Sequence, residues 1–225
     1  MKVRSDFYII PIIIILALIL PVYSFIEAYV NPQRNGGHAF SFFILIVAIE
    51  RLWETFYSSQ ERRRHRIHGD WTLPLVSIFY LALGFIKINE FFLINRKINI
   101  SLVILSTMLY CYAFALRWLA RKSLGKQWTV HAAGAQKIKR IRLLKTGPYK
   151  YIRHPIYAGV ILELISFSLI FNTYYAFLFC LSFNVPLQIF RSYIEEKASA
   201  RRFGRAYLEY KKEIPAFIPK MRGDS

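Results

Sequence analysis

The chain has 225 residues, 55% of them hydrophobic, with 31 Lys and Arg against 13 Asp and Glu and a formal net charge of +18. A soluble globular domain rarely joins such apolar content to such a charge excess, whereas apolar runs divided by basic loops are the pattern of a membrane protein. The charge needs no nucleic acid to explain it, because no recognisable nucleic-acid module accompanies it; Cys111 and Cys180 lie in apolar runs without a spacing partner, which argues against a disulfide framework or a thiolate metal site.

The pattern predicts an all-α, polytopic membrane bundle of about five to six transmembrane helices. Its apolar segments fall at 7–30, 39–57, 71–88, 98–120, 155–171 and 174–190. A full span needs about 20 apolar residues, and about 17 at the short end. The first segment follows Lys2 and Arg4 and resembles a signal peptide. Its apolar run is longer than a signal core and no small-x-small cleavage site follows, so it reads as a retained span. The last two segments are short. Asn172 and Thr173 separate them, which predicts a helical hairpin.

Charge sets the expected orientation. With the N-terminus cytoplasmic, the basic loop "ERRRHRIHGD", the long loop at 121–154 and the tail from Arg191 all face the cytoplasm. Only Arg34, Arg96 and Lys97 fall in the opposite loops. That asymmetry fits the positive-inside rule and places basic side chains beside anionic headgroups. The expected location is therefore a multi-pass integral membrane protein with a cytoplasmic active face, in a prokaryotic inner membrane or the endoplasmic reticulum. The tail reads as a helix running on from the last segment, interrupted at Gly204 and ended by Pro215 and Pro219. The expected division is 1–116 for the N-terminal transmembrane helices and 117–225 for a functional C-terminal region.

Several ionisable residues lie deep: Glu27, Glu50, Glu54, Arg117 and Glu163. Internal ion pairing or snorkelling accounts for the first four, and Glu163 stands out because it follows an unusual motif on the same helix. His38, His65, His68 and His131 lack metal-ligand spacing. No nucleophile elbow, Walker loop or dinucleotide glycine motif is present.

Two patches carry chemistry. In "LLKTGPYKYIRHPIYAG" (Leu143 to Gly159), Pro155 suits the first turn of a helix and His154 its cap. The first helical N–H groups would then face a ligand acceptor. Tyr149 and Tyr157 offer flat faces and hydroxyls. Gly147 allows a tight turn or close backbone approach, and Gly159 allows a neighbouring helix to pack closely. In "RSYIEEKASARRFGRAYLEY" (Arg191 to Tyr210), Arg191 and Glu195 are four apart and share one helix face, while Glu196 points about 100° away.

Together these patches resemble the isoprenylcysteine carboxyl methyltransferase family, which belongs with related membrane methyltransferases, including phospholipid methyltransferases. The resemblance covers roughly 117–220. It rests on Arg153-His154-Pro155-Ile156-Tyr157-Ala158-Gly159, then Glu195-Glu196, Phe203-Gly204, Tyr207, Tyr210, Pro215 and Pro219, with "RWLARKSLGKQW" upstream. It implies S-adenosylmethionine as methyl donor in a cytoplasmic pocket. By position, the implied cofactor shell is Ile141, Arg142, Leu143, Leu144, Tyr149, His154, Pro155, Ile156, Tyr157 and Glu195. The stretch 141–144 departs from the family's frequent His-x-Leu-Val. Arg191 falls where the substrate carboxylate is held, and Glu196 is the second member of the acidic pair; Arg191, Glu195 and Glu196 form the implied catalytic set.

Attack of a carboxylate on a sulfonium neutralises opposite charges. It needs alignment and exclusion of water rather than a base. An amine or thiol acceptor would want a base, for which Glu196, Glu163 and His154 are candidates. The expected acceptor is a lipophilic one, a prenylated cysteine carboxylate in the first place. Phospholipid amines and small thiols stay open, as do an NADPH-dependent sterol or enone reductase-like activity and a non-enzymatic lipid-binding scaffold. Arg153 is assigned no role beyond the membrane surface.

Overall fold

A computed structural model describes residues 9–57, 71–125 and 142–220. The basic loop at 61–70 and Ile141 lie outside them, as do His65, His68 and His131. Among the described residues every regular element is a helix. In chain order these are α1 (Ile9–Val30), α2 (Gly37–Tyr57), α3 (Thr72–Leu93), α4 (Ile100–Leu124), a 3-10 turn (Gly147–Lys150), α5 (Pro155–Leu169), α6 (Tyr174–Phe179), a π turn (Cys180–Asn184), α7 (Val185–Phe203) and α8 (Arg205–Glu213).

Among the described residues three helices are long and apolar enough to cross a membrane: α3, α4, and the continuous rod of α6, the π turn and α7, at Tyr174–Phe203. α5 is apolar but has 15 residues. α2 has the length of a span yet carries Glu50, Arg51 and Glu54, and their charges are met inside the bundle.

The π turn has a local cause. Pro186 cannot donate to the carbonyl four residues back, and its ring crowds that carbonyl; one wider turn immediately before it relieves both faults. The rod continues to Phe203, where Gly204, at φ +56°, breaks it and α8 begins.

The hairpin between α5 and α6 is held by the ends of α3 and α4. Phe171 and Asn172 both adopt positive φ, 69° and 61°. Lys87 of α3 is fully buried and donates to the Ile170 carbonyl at 2.5 Å and to Thr173 Oγ1 at 3.1 Å. The rings of Phe167, Phe40, Phe43 and Phe171 lie 5.0–5.9 Å from its ammonium. Glu90, paired with Arg96, accepts from the Ala176 N–H in the first turn of α6. The Asn99 N–H donates to Asn172 Oδ1 at 2.6 Å. Stacked Phe40 and Phe91, with Phe92 and Leu83, fill the adjoining core.

Two glycines set helix approach. A Cβ on Gly84 would lie 2.3 Å from Leu20 on α1, and one on Gly159 would lie 2.4 Å from Arg117 Cγ and 3.1 Å from the Ala113 carbonyl on α4. α4 and α5 therefore pack backbone against backbone, as the position of Gly159 led us to expect.

Between α2, α4 and α5 lies a closed group of charges. Arg117, 1% exposed, reaches Glu50 at 2.7 Å, Glu54 at 3.2 Å and Glu163. Arg51 pairs with Glu54 at 3.3 Å and with Glu163, and donates to the Tyr80 hydroxyl. Arg121 meets Glu54 at 2.6 Å, and Tyr110 donates to Glu50. Carboxylates and guanidiniums balance in number. Glu50, Glu54 and Arg117 are thus internally paired, as expected for them, and Glu163 joins the same group. Glu27 accepts from Asn31 at the end of α1.

Candidate functional site

The site forms where the N-terminus of α5 meets the later turns of α7. Pro155 is the first residue of α5 and His154 its cap, at φ −123° and ψ 57°. His154 makes no side-chain cap bond. Its backbone N–H donates to the Ala216 carbonyl at 3.0 Å, and the Arg153 N–H donates to the Pro215 carbonyl at 2.8 Å. The His154 N–H is therefore occupied by the tail rather than held open for a ligand. The remaining first-turn donors are those of Ile156 and Tyr157.

From α7, Arg191 is buried and Glu195 is partly exposed. The Tyr157 hydroxyl interacts with both Arg191 and Glu195, joining α5 to α7. His154 is buried with its ring 5.8 Å from that of Tyr157, at a steep angle, and 5.8 Å from Phe217. One acid and one guanidinium from α7 thus converge with one imidazole and one phenol from the start of α5, and Phe217 of the tail packs beside the imidazole.

Tyr149 lies in the 3-10 turn, near Glu195 and Tyr157. Burial raises its hydroxyl well above the ordinary tyrosine range, and the nearby Glu195 carboxylate raises it further. It stays a neutral donor. Its carbonyl accepts from the Tyr210 hydroxyl at 2.6 Å, and burial lifts that hydroxyl to about 12. The turn begins at Gly147, with φ +61° and a Cβ position 2.4 Å from Ser123 Oγ of α4. Close approach and tight turn are both required there, and only glycine supplies them at no steric cost.

Glu196 faces away from Glu195 and is tied down. Its carboxylate accepts from Arg153 at 3.1 and 2.6 Å, from Lys211 at 2.5 Å, and lies 3.1 Å from His154 Nε2. Arg153 also donates to the Lys211 and Ile214 carbonyls. Its role is accordingly larger than membrane-surface charge: it binds the loop, α7 and the tail together. Among the remaining expected residues, Leu143 and Leu144 are partly buried in a stretch without regular structure, Arg142 is exposed, and Ile156 is partly buried beside the cap. The structure brings together Tyr149, His154, Pro155, Tyr157, Arg191, Glu195 and Glu196.

These elements fall inside a stretch with known relatives. The model of the isoprenylcysteine carboxyl methyltransferase (ICMT) family matches residues 102–201, from α4 through the acidic pair to the end of α7. A Bacillus subtilis (strain 168) protein described as uncharacterized protein YpbQ is 31% identical over 136 residues, which cover 58% of this chain and 73% of that one. The shared stretch holds both halves of the site, the His154–Tyr157 cap and the Arg191–Glu195 face, and on that ground the chain belongs to the isoprenylcysteine carboxyl methyltransferase family.

Proposed function

We propose that this protein transfers a methyl group from S-adenosylmethionine to the carboxylate of a lipophilic acceptor at the cytoplasmic face of the membrane. A prenylated cysteine is the lead acceptor. The observation that carries the reading is the Arg191–Tyr157–Glu195 junction, in which one hydroxyl interacts with both a buried guanidinium and a partly exposed carboxylate.

The donor set fits the cofactor's chemistry. Glu195 offers a negative charge to an ammonium, and the first-turn N–H groups of Ile156 and Tyr157 suit a carboxylate. Tyr149, Tyr157 and His154 supply flat walls. When bound, the cofactor supplies a methyl on a positively charged sulfur. Arg191 would grip the acceptor carboxylate in fork fashion, and Tyr157 would keep that guanidinium in register with Glu195. With carboxylate as nucleophile no proton has to be removed, so the residues orient and exclude water. Glu196, bound to Arg153 and Lys211 and in contact with His154, serves this arrangement as a positioning residue by seating His154 and Arg153.

Purified protein in nanodiscs with tritiated S-adenosylmethionine tests the reading against S-farnesylcysteine analogues, phosphatidylethanolamine and small thiols, with NADPH as the competing cofactor. We expect base-labile methyl ester from the farnesylcysteine analogue. Arg191→Gln should cut kcat/KM for it by about 100-fold or more while changing cofactor affinity a few-fold. Glu195→Gln should weaken cofactor binding by about tenfold. Folded protein that binds no S-adenosylmethionine would sink the proposal.

A further inference from the structure

The polar face of α7 continues beyond the site, toward the hairpin. Asn184, Gln188, Arg191 and Glu195 follow at spacings of four, three and four, which on a helix keeps them within an arc of about 60°. Asn184, Gln188 and Arg191 are 3%, 6% and 4% exposed. The π turn that carries Asn184 packs on α5 and α3, and α7 packs on α5. The face shared with Arg191 and Glu195 is therefore the one that meets Tyr157.

Asn184 is out of keeping with its neighbours. Leu181, Phe183 and Val185 beside it are apolar, yet its side-chain carbonyl oxygen is buried and has no hydrogen-bond partner. A carboxamide oxygen inside a membrane bundle is costly unless a donor meets it, and lipid chains carry none. An apolar residue of similar size would sit there without that cost.

We infer that Asn184 is a specificity-determining residue for the acceptor. It accepts a hydrogen bond from a hydroxyl or N–H group on the acceptor's chain, about 10 Å beyond the carboxylate held by Arg191, the axial rise of seven helical residues. The inference rests on the reading of Arg191 as the carboxylate ligand. A plain prenyl or saturated chain has no donor at that depth. Such chains are accepted with this contact missing, and a lipid acid with a donor at that distance is preferred.

The test compares octadecanoic acid with 10-hydroxyoctadecanoic acid, whose hydroxyl comes at about that distance in an extended chain. Both are offered to the full chain in nanodiscs with tritiated S-adenosylmethionine. The wild type should favour the hydroxy acid in kcat/KM by about tenfold, the worth of one buried hydrogen bond. In Asn184→Leu the ratio should fall to near one, through loss on the hydroxy acid. Asn184→Thr, which keeps a hydroxyl, should restore part of it. Cofactor affinity and melting temperature confirm that each variant is folded. A wild type that treats the two acids alike, or an Asn184→Leu variant that loses equally on both, overturns the inference. If neither acid is methylated while cofactor binds, the carboxyl-transfer reading stands or falls on the farnesylcysteine assay above. Asn184 is then judged by calorimetric binding of the same acids: a hydroxy-acid preference lost in Asn184→Leu upholds it, and equal binding overturns it.

Discussion

At the scale of single residues, the tail tyrosines and Arg153 hold the site's loop in place. Tyr210 donates to the Tyr149 carbonyl, and its hydroxyl is raised from 10.0 to about 12. A raised folded-state pKa adds stability that is complete below the unfolded value and is lost as pH rises through the folded one. Stability should therefore fall between pH 10 and about 12, and Tyr210→Phe should flatten part of that fall while lowering the melting temperature at neutral pH, at a cost of about 1 kcal/mol. Thermal melts at stepped pH would check both signs; an unchanged alkaline limb would refute the assignment. Arg153 shows what spacing conceals. Its partners Glu196 and Ile214 lie 43 and 61 residues away, and the sequence around it offers only a basic residue before His-Pro. The His154 cap and the Arg191–Glu195 face were legible because each is local: a proline at a helix start and a four-residue interval. That Tyr157 joins them was not, because it depends on how α5 meets α7.

At the scale of helices, α2, α4 and α5 are joined by balanced charge. Removing one member of a buried ion group leaves an uncompensated charge, which costs about 3–5 kcal/mol, whereas removing a matched pair costs far less. Glu163→Gln should accordingly destabilise the protein strongly, and Arg51→Gln combined with Glu163→Gln should recover much of the loss. Melting temperatures of the single and double variants would decide; a double variant no better than the single one would show that the pair does not act as a unit. Gly159→Ala should also destabilise, because its Cβ would meet both Arg117 Cγ and the Ala113 carbonyl. The sequence marked Glu50, Glu54 and Arg117 as candidates for internal pairing, since charges in apolar runs need partners. It could not show that Glu163 shares Arg117 with Glu50 and Glu54, because α5 follows α4 only after a long loop. Lys87 was passed over for a related reason: a single lysine in an apolar run reads as an end residue until the rings and carbonyls around it are assembled.

At the scale of the whole molecule, the described residues form one helical bundle whose two ends have different tasks. At the hairpin end, Lys87, Glu90 and Asn172 brace a turn in which two non-glycine residues hold positive φ. Lys87→Met should speed amide exchange at 170–176 and lower stability by about 1–3 kcal/mol, because the Ile170 carbonyl loses its donor. Lys87→Gln should soften both effects; exchange rates unaltered in the Met variant would rule the brace out. At the other end, the loop before α5 is pinned by the backbone of residues 215–216, which follow α8. The order of synthesis gives that contact a biological reading. Ribosomes make α1 through α7 before the residues that seat His154 exist, so the loop before α5 is pinned only after α8 has been made. A product stopped just before residue 215 would carry every helix through α8 with that loop unpinned.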